Sequence, residues 1–289
     1  MQTSGGHTGS GHASGGLVWI AIGLTCGWCG AAPAADAVAG AEGFRVESEV
    51  YANGAQEPVA RTLTLFRGRI AWDFIEPLPS AADGRPQEGN RTTEIVLHDP
   101  ARERVVVVDP VRNMKTQVDA IRLERLSASL AAWARRSDDR LVRWAGGPDF
   151  GDGMKETADT VELAGPRVRY AVEYAVAPSP DAAHSYRQFA DTAILLKGLM
   201  RPGGLPPFPR IAINRRVAAA GGIPTSVALE IDPGMAAFTG RAARLRCTHR
   251  FHPRLLSSDL ARIEEAESRV AAATAVDLAD FVATPQADD

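Results

Sequence analysis

Four consecutive valines, Val105 to Val108, sit inside the run RERVVVVD. No other stretch of the chain limits its fold so tightly. β-Branched residues in series favour the extended backbone and lose side-chain freedom in a helix. The run is bracketed by Pro100 and by Asp109-Pro110, so it is a short strand. Its neighbours read the same way. FRVESEVY puts Phe44, Val46, Ser48 and Val50 on one face, with Arg45, Glu47, Glu49 and Tyr51 on the other. Asn53-Gly54 is a turn signal. TLTLF (62–66) and IAWDFI (70–75) flank Arg67-Gly68-Arg69, which predicts a hairpin. TEIVLHD (93–99) and RNMKTQVD (112–119) are further strands, the latter with Met114, Thr116 and Val118 inward. Residues 76–91 are rich in proline, glycine and polar residues and form a loop.

A helix follows. Leu123, Leu126, Leu130 and Trp133 recur at spacings of three and four, which places them on one stripe facing the sheet. Asp119 suits its start and Arg135-Arg136 its end. Beyond a loop at 145–153, VELAG and RVRYAVEYAV are paired strands. Residues 181–200 form a helix with Tyr186, Phe189, Ala193 and Leu196 in register. RIAINRRVAA, IPTSVALEID and RAARLRCTHRF are read as strands, and 257–275 as a closing helix. Short turns between strands imply antiparallel pairing. The fold class expected is α+β: an antiparallel, incomplete β-barrel-like curved sheet with helices packed on its concave face. No repeat or linker divides residues 40–289, which are read as one β-rich domain.

The amino terminus carries an apolar run of 13 residues, Leu17–Cys29, followed by an alanine-rich stretch. The run is short of the roughly 20 residues a spanning helix needs. It fits a signal peptide over residues 1–39, with cleavage before Gly40 after Ala37-Val38-Ala39 or, as an alternative, after Ala32-Pro33-Ala34. Export to the periplasm or cell envelope is the expectation, with no transmembrane helix in the mature chain. Cys26 and Cys29 lie inside this leader, so their C-x-x-C spacing is incidental. Cys247 is then the one mature cysteine, and no internal disulfide is available. Basic residues number 32 and acidic residues 35, for a net charge of −3. That balance, interleaved along the chain, argues against a nucleic-acid partner.

GRIAWDFIEP, then TEIVLHDPARERVVVVDPVRNMKTQVD, then a helix, resembles the periplasmic outer-membrane lipoprotein carrier and its lipoprotein-sorting relatives. Asp99-Pro100 and Asp109-Pro110 occupy turn positions of that pattern, which covers about residues 44–135. The resemblance implies a barrel lined by apolar side chains, lidded by helices and able to hold acyl chains. Residues 40–289 would then be a carrier-like domain. No binding residue transfers from the resemblance; the apolar strand faces and the helix stripe give Leu63, Leu65, Ile70, Trp72, Phe74, Leu126, Leu130 and Trp133 as the expected lining of such a cavity. The expected partner is a lipid, an acyl chain or a lipidated protein, with no cofactor.

Catalytic chemistry has little to stand on in the sequence. The densest group of potential metal ligands is Cys247, His249 and His252, of which only the first two share a strand face. His98 and His184 stand alone. No G-x-S-x-G, H-E-x-x-H or phosphate-binding glycine motif occurs in residues 40–289. A non-enzymatic binding protein is therefore expected. A structural or adaptor domain of the envelope, and a hydrolase with scattered residues, remain as alternatives.

Overall fold

The computed structural model describes residues 43–77, 94–201, 204–231 and 244–283. The leader, the CxxC pair, most of the 76–91 loop and the last six residues lie outside the described residues.

Six strands come first: β1 (Gly43–Ala52), β2 (Ala60–Arg67), β3 (Ile70–Pro77), β4 (Glu94–Asp99), β5 (Arg104–Asp109) and β6 (Met114–Asp119). Each pairs antiparallel with the next. The turns are those the sequence marks. Asn53 and Gly54 both take positive φ (52° and 77°), and the Ala55 amide closes the turn on the Ala52 carbonyl. Gly68 at φ 59° turns β2 into β3. Two helices follow, α1 (Ala120–Arg135) and α2 (Arg140–Ala145). The Asp139 carboxylate starts α2 by accepting the Leu141 and Val142 amides. Asp119 precedes α1 without capping it by its side chain.

The second half supplies β7 (Met154–Glu156), β8 (Thr160–Gly165) and β9 (Val168–Val176). Helices α3 (Pro180–Met200) and α4 (Phe208–Ala219) then lead to β10 (Gly222–Ile231) and β11 (Arg244–His252). Helix α5 (Ser257–Ala272), a two-residue strand β12 (Thr274–Ala275) and α6 (Leu278–Val282) close the chain. Ser179 caps α3, its hydroxyl accepting the Ala182 amide, with Pro180 in the first turn. Segment 210–219 is helical, whereas its β-branched residues suggest a strand. Pro207 and Pro209 suit a helix start, and the buried residues Ile213, Asn214 and Val217 follow helical spacing.

All twelve strands join one sheet, in the order β12-β6-β5-β4-β3-β2-β1-β11-β10-β9-β8-β7. Only the β12–β6 pair is parallel. The sheet is open, because β12 and β7 end it without meeting. This is the α+β, antiparallel and incomplete barrel expected from the pattern. The two halves join where β11 pairs β1, bringing Ser48 opposite His249 and Val46 opposite Phe251.

Each face of the sheet has its own cover. Leu65, Trp72, Phe74, Ile95, Leu97, Val106 and Val108 share one face and pack under Ile263 and Ala266 of α5 and under Leu255 just before it. The opposite face carries three clusters. Phe44, Val46, Phe66 and Ala71 pack on Tyr186, Phe189 and Ala190 of α3. Val105, Val107 and Val118 meet Leu123 of α1, Leu196 of α3 and Phe281 of α6. Val161, Leu163 and Val172 meet Leu141 of α2 and Ile213 and Val217 of α4. Helices thus line the length of the α3 face, and one helix covers part of the other. Arg45 ties α5 to β1: it reaches Asp259 at 3.5 Å, whose other oxygen accepts the Leu256 amide at α5's first turn.

Candidate functional site

The eight residues expected to line one apolar space fall on opposite sides of the sheet. Leu63, Leu65, Ile70, Trp72 and Phe74 lie on the α5 face, as cross-strand pairs such as Leu65–Trp72 and Leu63–Phe74 require. That space is filled: Leu65 is 0% exposed, and Trp72 and Phe74 are 2% exposed, under α5. Leu126, Leu130 and Trp133 belong to α1, whose buried contact Leu123 joins the α3-face cluster. Trp133 is 54% exposed, and Ala134 is buried instead. The expectation that Trp72 and Trp133 approach a common cavity is therefore corrected. Alternation shows which residues share a face, but not which helix will cover it. The α1 stripe also drifts: eleven residues make three turns, so Ala134 stands in line with Leu123 and Trp133 is rotated off it.

The α3 face carries a polar island within its apolar lining. Ser48 Oγ and His249 Nδ1 lie 2.8 Å apart and share a hydrogen bond across β1 and β11. Thr64 donates its hydroxyl to Asp73 Oδ1 at 2.7 Å across β2 and β3. Cys247 sits two residues from His249 on the same face. Tyr186 of α3 meets the His249 ring edge-on at 6.2 Å. Arg210 lies in the first turn of α4. Asn214, one turn further on the same side of α4, donates to Asp191 of α3 at 2.8 Å. Arg210 therefore shares the side of α4 that looks toward α3. The positive field of its guanidinium reaches Tyr170, Tyr186, Cys247 and His249.

Burial dominates the electrostatics of this island. It pushes Asp73 up to about 6, against the Thr64 hydrogen bond. Burial, aided by Arg210, pushes His249 down to about 3, so the ring is neutral near pH 7. Burial lifts the Cys247 thiol to about 11, which keeps it protonated and unreactive. Tyr186 is raised for the same reason. At the α1 side, His98 is pushed down to about 4 by burial, with Asp99 opposing. It shares a 3.3 Å contact with the Thr192 hydroxyl.

Three polar atoms here lack partners. Arg210 Nη1, Asn214 Oδ1 and His249 Nε2 are buried and make no hydrogen bond among the described residues. An unmet buried donor costs about 1–3 kcal/mol. Leu205 and Phe208 before and at α4, and Val227 and Leu229 of β10, are half-buried against the α4 cluster, while Leu199 and Met200 of α3 are half-buried against the separate cluster at β5 and β6.

The Ser48–His249 pair was not legible in the sequence, because its members are 201 residues apart and meet only through strand register. It is not an acyl-transfer triad as it stands. A Ser–His base needs a carboxylate on its second nitrogen, and His249 Nε2 has no partner among the described residues. Cys247 and His249 do share a face, while His252 points to the other, 3.5 Å from Glu47. No group of three or more His, Cys, Asp or Glu side chains suited to a metal occurs among the described residues.

The α5 face offers a groove of about 560 Å³ beside Arg262. Its charges are already matched: Arg61 with Glu49 at 3.0 Å, Arg250 with Glu47 at 3.6 Å and Arg262 with Glu76 at 2.7 Å. It has no charge to offer a ligand without breaking a pair. No described helix is long and apolar enough to cross a membrane.

No family model matches the chain, and no curated protein matches it. Among solved structures it is similar to a LolA superfamily protein from Nitrosomonas europaea. The identity is 10%, over 76% of this chain and 90% of that one, with a TM-score of 0.27. A likeness at that score carries no argument about residues; the fold class rests on the strand order and register above.

Proposed function

We propose that the protein is an exported, non-enzymatic carrier whose α3 face holds the apolar part of a lipid, an acyl chain or a lipidated partner. In this reading residues 1–39 direct export and residues 40–289 form the binding domain. The observation that carries it is the half-covered apolar lining at the α4 end of the α3 face. Phe208, Val227 and Leu229 are half-buried there, and Val227 lies opposite Cys247 on the strand that carries His249. A ligand pocket has that composition: mostly apolar lining with a few convergent polar groups. The packed α5 face gives the adaptor-domain alternative its support, since a filled core binds nothing.

A fluorescent acyl probe titrated into the mature protein tests the reading. Saturable binding is expected, weakened by Leu229→Glu and unaffected by Arg61→Ala in the outer groove. Absence of binding, together with no lipid extracted from protein purified from the native envelope, would leave the adaptor domain. Export is tested by amino-terminal sequencing of the same material: residue 40 at the terminus supports it, and an intact leader on cytoplasmic protein overturns it.

A further inference from the structure

We propose that helix α1 is a docking surface for an anionic lipid bilayer, on which it lies along the head groups. The surface is the solvent side of α1 and is separate from the half-covered lining near α4.

The helical hairpin from Ala120 to Ala145 holds six arginines against three acids, a net +3 in a chain whose net charge is −3. All six arginines are exposed. None of them forms an ion pair among the described residues. Arg135, Arg136 and Arg143 donate instead to the carbonyls of Gly146, Ala132 and Ser137. Carbonyls satisfy hydrogen bonds but leave the charge unmatched. Exposed arginines elsewhere are paired: Arg61 with Glu49 at 3.0 Å, Arg169 with Glu162 at 2.9 Å and Arg269 with Glu265 at 2.7 Å. The three acids of the hairpin are placed aside. The Asp139 carboxylate accepts the Leu141 and Val142 amides of α2. Asp138 stands in the turn between the helices, and Glu124 lines the cleft toward α3 with Gln188.

The arginines share their side of α1 with apolar groups. Leu123 and Ala134 are the buried residues of α1 and set its inward direction. At 100° per residue, the outward arc runs from Ile121 through Arg125, Arg136, Ser129 and Arg122 to Trp133, and it contains no acid. Ile121 and Trp133 are each 54% exposed, and Leu126, next to Trp133 on the stripe, is half-buried. Helix α5, also of 16 residues, is finished differently. It carries Glu264, Glu265 and Glu267 beside Arg269, the mixed charge of a face that meets only water.

An arc of unmatched cations attracts anions. Arginine, tryptophan and aliphatic residues on one side of a helix suit the lipid interface. Guanidinium groups meet phosphates, the indole sits at head-group level, and the aliphatic groups enter the acyl boundary. A polynucleotide or an acidic protein would use the arginines and gain little from Ile121 and Leu126. No described helix can cross a bilayer, so the attachment is peripheral.

Co-sedimentation of the mature protein with vesicles tests the surface. Two compositions are compared: phosphatidylcholine alone, and phosphatidylcholine with about one-third phosphatidylglycerol. Partitioning onto the anionic vesicles is expected to be about tenfold or more stronger, and to weaken as salt is added. Arg122→Gln and Arg125→Gln together should lower it about fivefold for each charge removed. Leu126→Ala with Trp133→Ala should weaken it too. Arg169→Gln, which removes an exposed but paired charge, should leave it unchanged within about twofold. Circular dichroism confirms that each variant is folded. Equal partitioning onto both compositions, or a preference that survives the double arginine replacement, overturns the surface. Loss with the arginine variant but not with the apolar one also overturns it, and makes α1 a site for a soluble polyanion. Self-association without vesicles that disappears in the apolar variant, with no vesicle binding, overturns it in favour of a second copy. Acyl-probe affinity without vesicles should be unaltered by the arginine variant, which keeps the cargo reading apart.

Discussion

The two faces of one set of strands contrast in how they are finished. On the α5 face, β2 to β5 pack Leu65, Trp72, Phe74, Ile95, Leu97, Val106 and Val108 against Ile263 and Ala266 of one amphipathic helix, with Glu76 at the margin paired to Arg262 at 2.7 Å. On the α3 face the same strands present Thr64, Asp73 and His98 among the valines and phenylalanines, under several helices. The first arrangement gains from area removed from water, at roughly 25 cal/mol per Å². The second gives up part of that gain to polar groups that must find partners. A sheet needs one closed face to be stable; the other is free to be shaped for a ligand.

The contrast breaks most decisively at Trp72. Trp72→Ala should cost about 3–5 kcal/mol, read as a lowered urea midpoint, while the folded fraction keeps its acyl-probe affinity. A lost affinity with little lost stability would exchange the roles of the faces.

Acid should expose the α3 face next. His98 and His249 are held below their ordinary value of 6.5, at about 4 and about 3, so the unfolded chain binds their protons more readily. Their contribution is complete above about pH 6.5 and is lost as pH falls toward those values. Asp73 acts in the opposite sense. Its folded value of about 6 lies above the ordinary 3.8, so its contribution is present at low pH and lost as pH rises through about 6. Glu94 and Asp191, raised by burial, act in the same sense as Asp73. The two histidines are displaced furthest from their ordinary value, and the thermal midpoint should fall on acidification from pH 6.5 to 4. Asp73→Asn should steepen that fall, and His249→Gln should flatten it. A midpoint independent of pH would show that the α3 face is wetter than its geometry.

Truncating a half-covered residue should cost less. Leu229→Ala is expected to lose about 1 kcal/mol or less in chemical denaturation, below the 2–5 kcal/mol of a buried leucine, with a larger proportional loss in acyl binding. The smallest effect belongs to α1. Trp133 is 54% exposed, so Trp133→Ala should stay within about 0.5 kcal/mol of the parent. A large loss there would restore the stripe that puts Trp133 against the sheet.

The same contrast separates the legible from the illegible. The meander β1 to β6 is readable because its strands are short and either alternate, as in β1, or run in β-branched series, as in β5, with turn residues such as Asn53-Gly54 and Gly68 between neighbours. Helix α4 was not, since Ile211, Ile213 and Val217 carry a strand propensity that prolines and packing overrule. The place of Arg210 beside α3 is hidden for the same reason: on a strand it has no relation to that helix. The weak signal available was Pro207 and Pro209 just ahead of it.

What the residues determine alone is local. Period-two alternation fixes which side chains share a face, and turn residues fix where strands end, because both depend on neighbours a few positions away. The tertiary structure decided the rest. Alternation carries no sign, so it cannot say which face α5 will close. Ser48 and His249 meet across 201 intervening positions because β11 inserts beside β1, and no local preference encodes that pairing. The polar island of Ser48 and His249 exists only once the two halves of the sheet have joined.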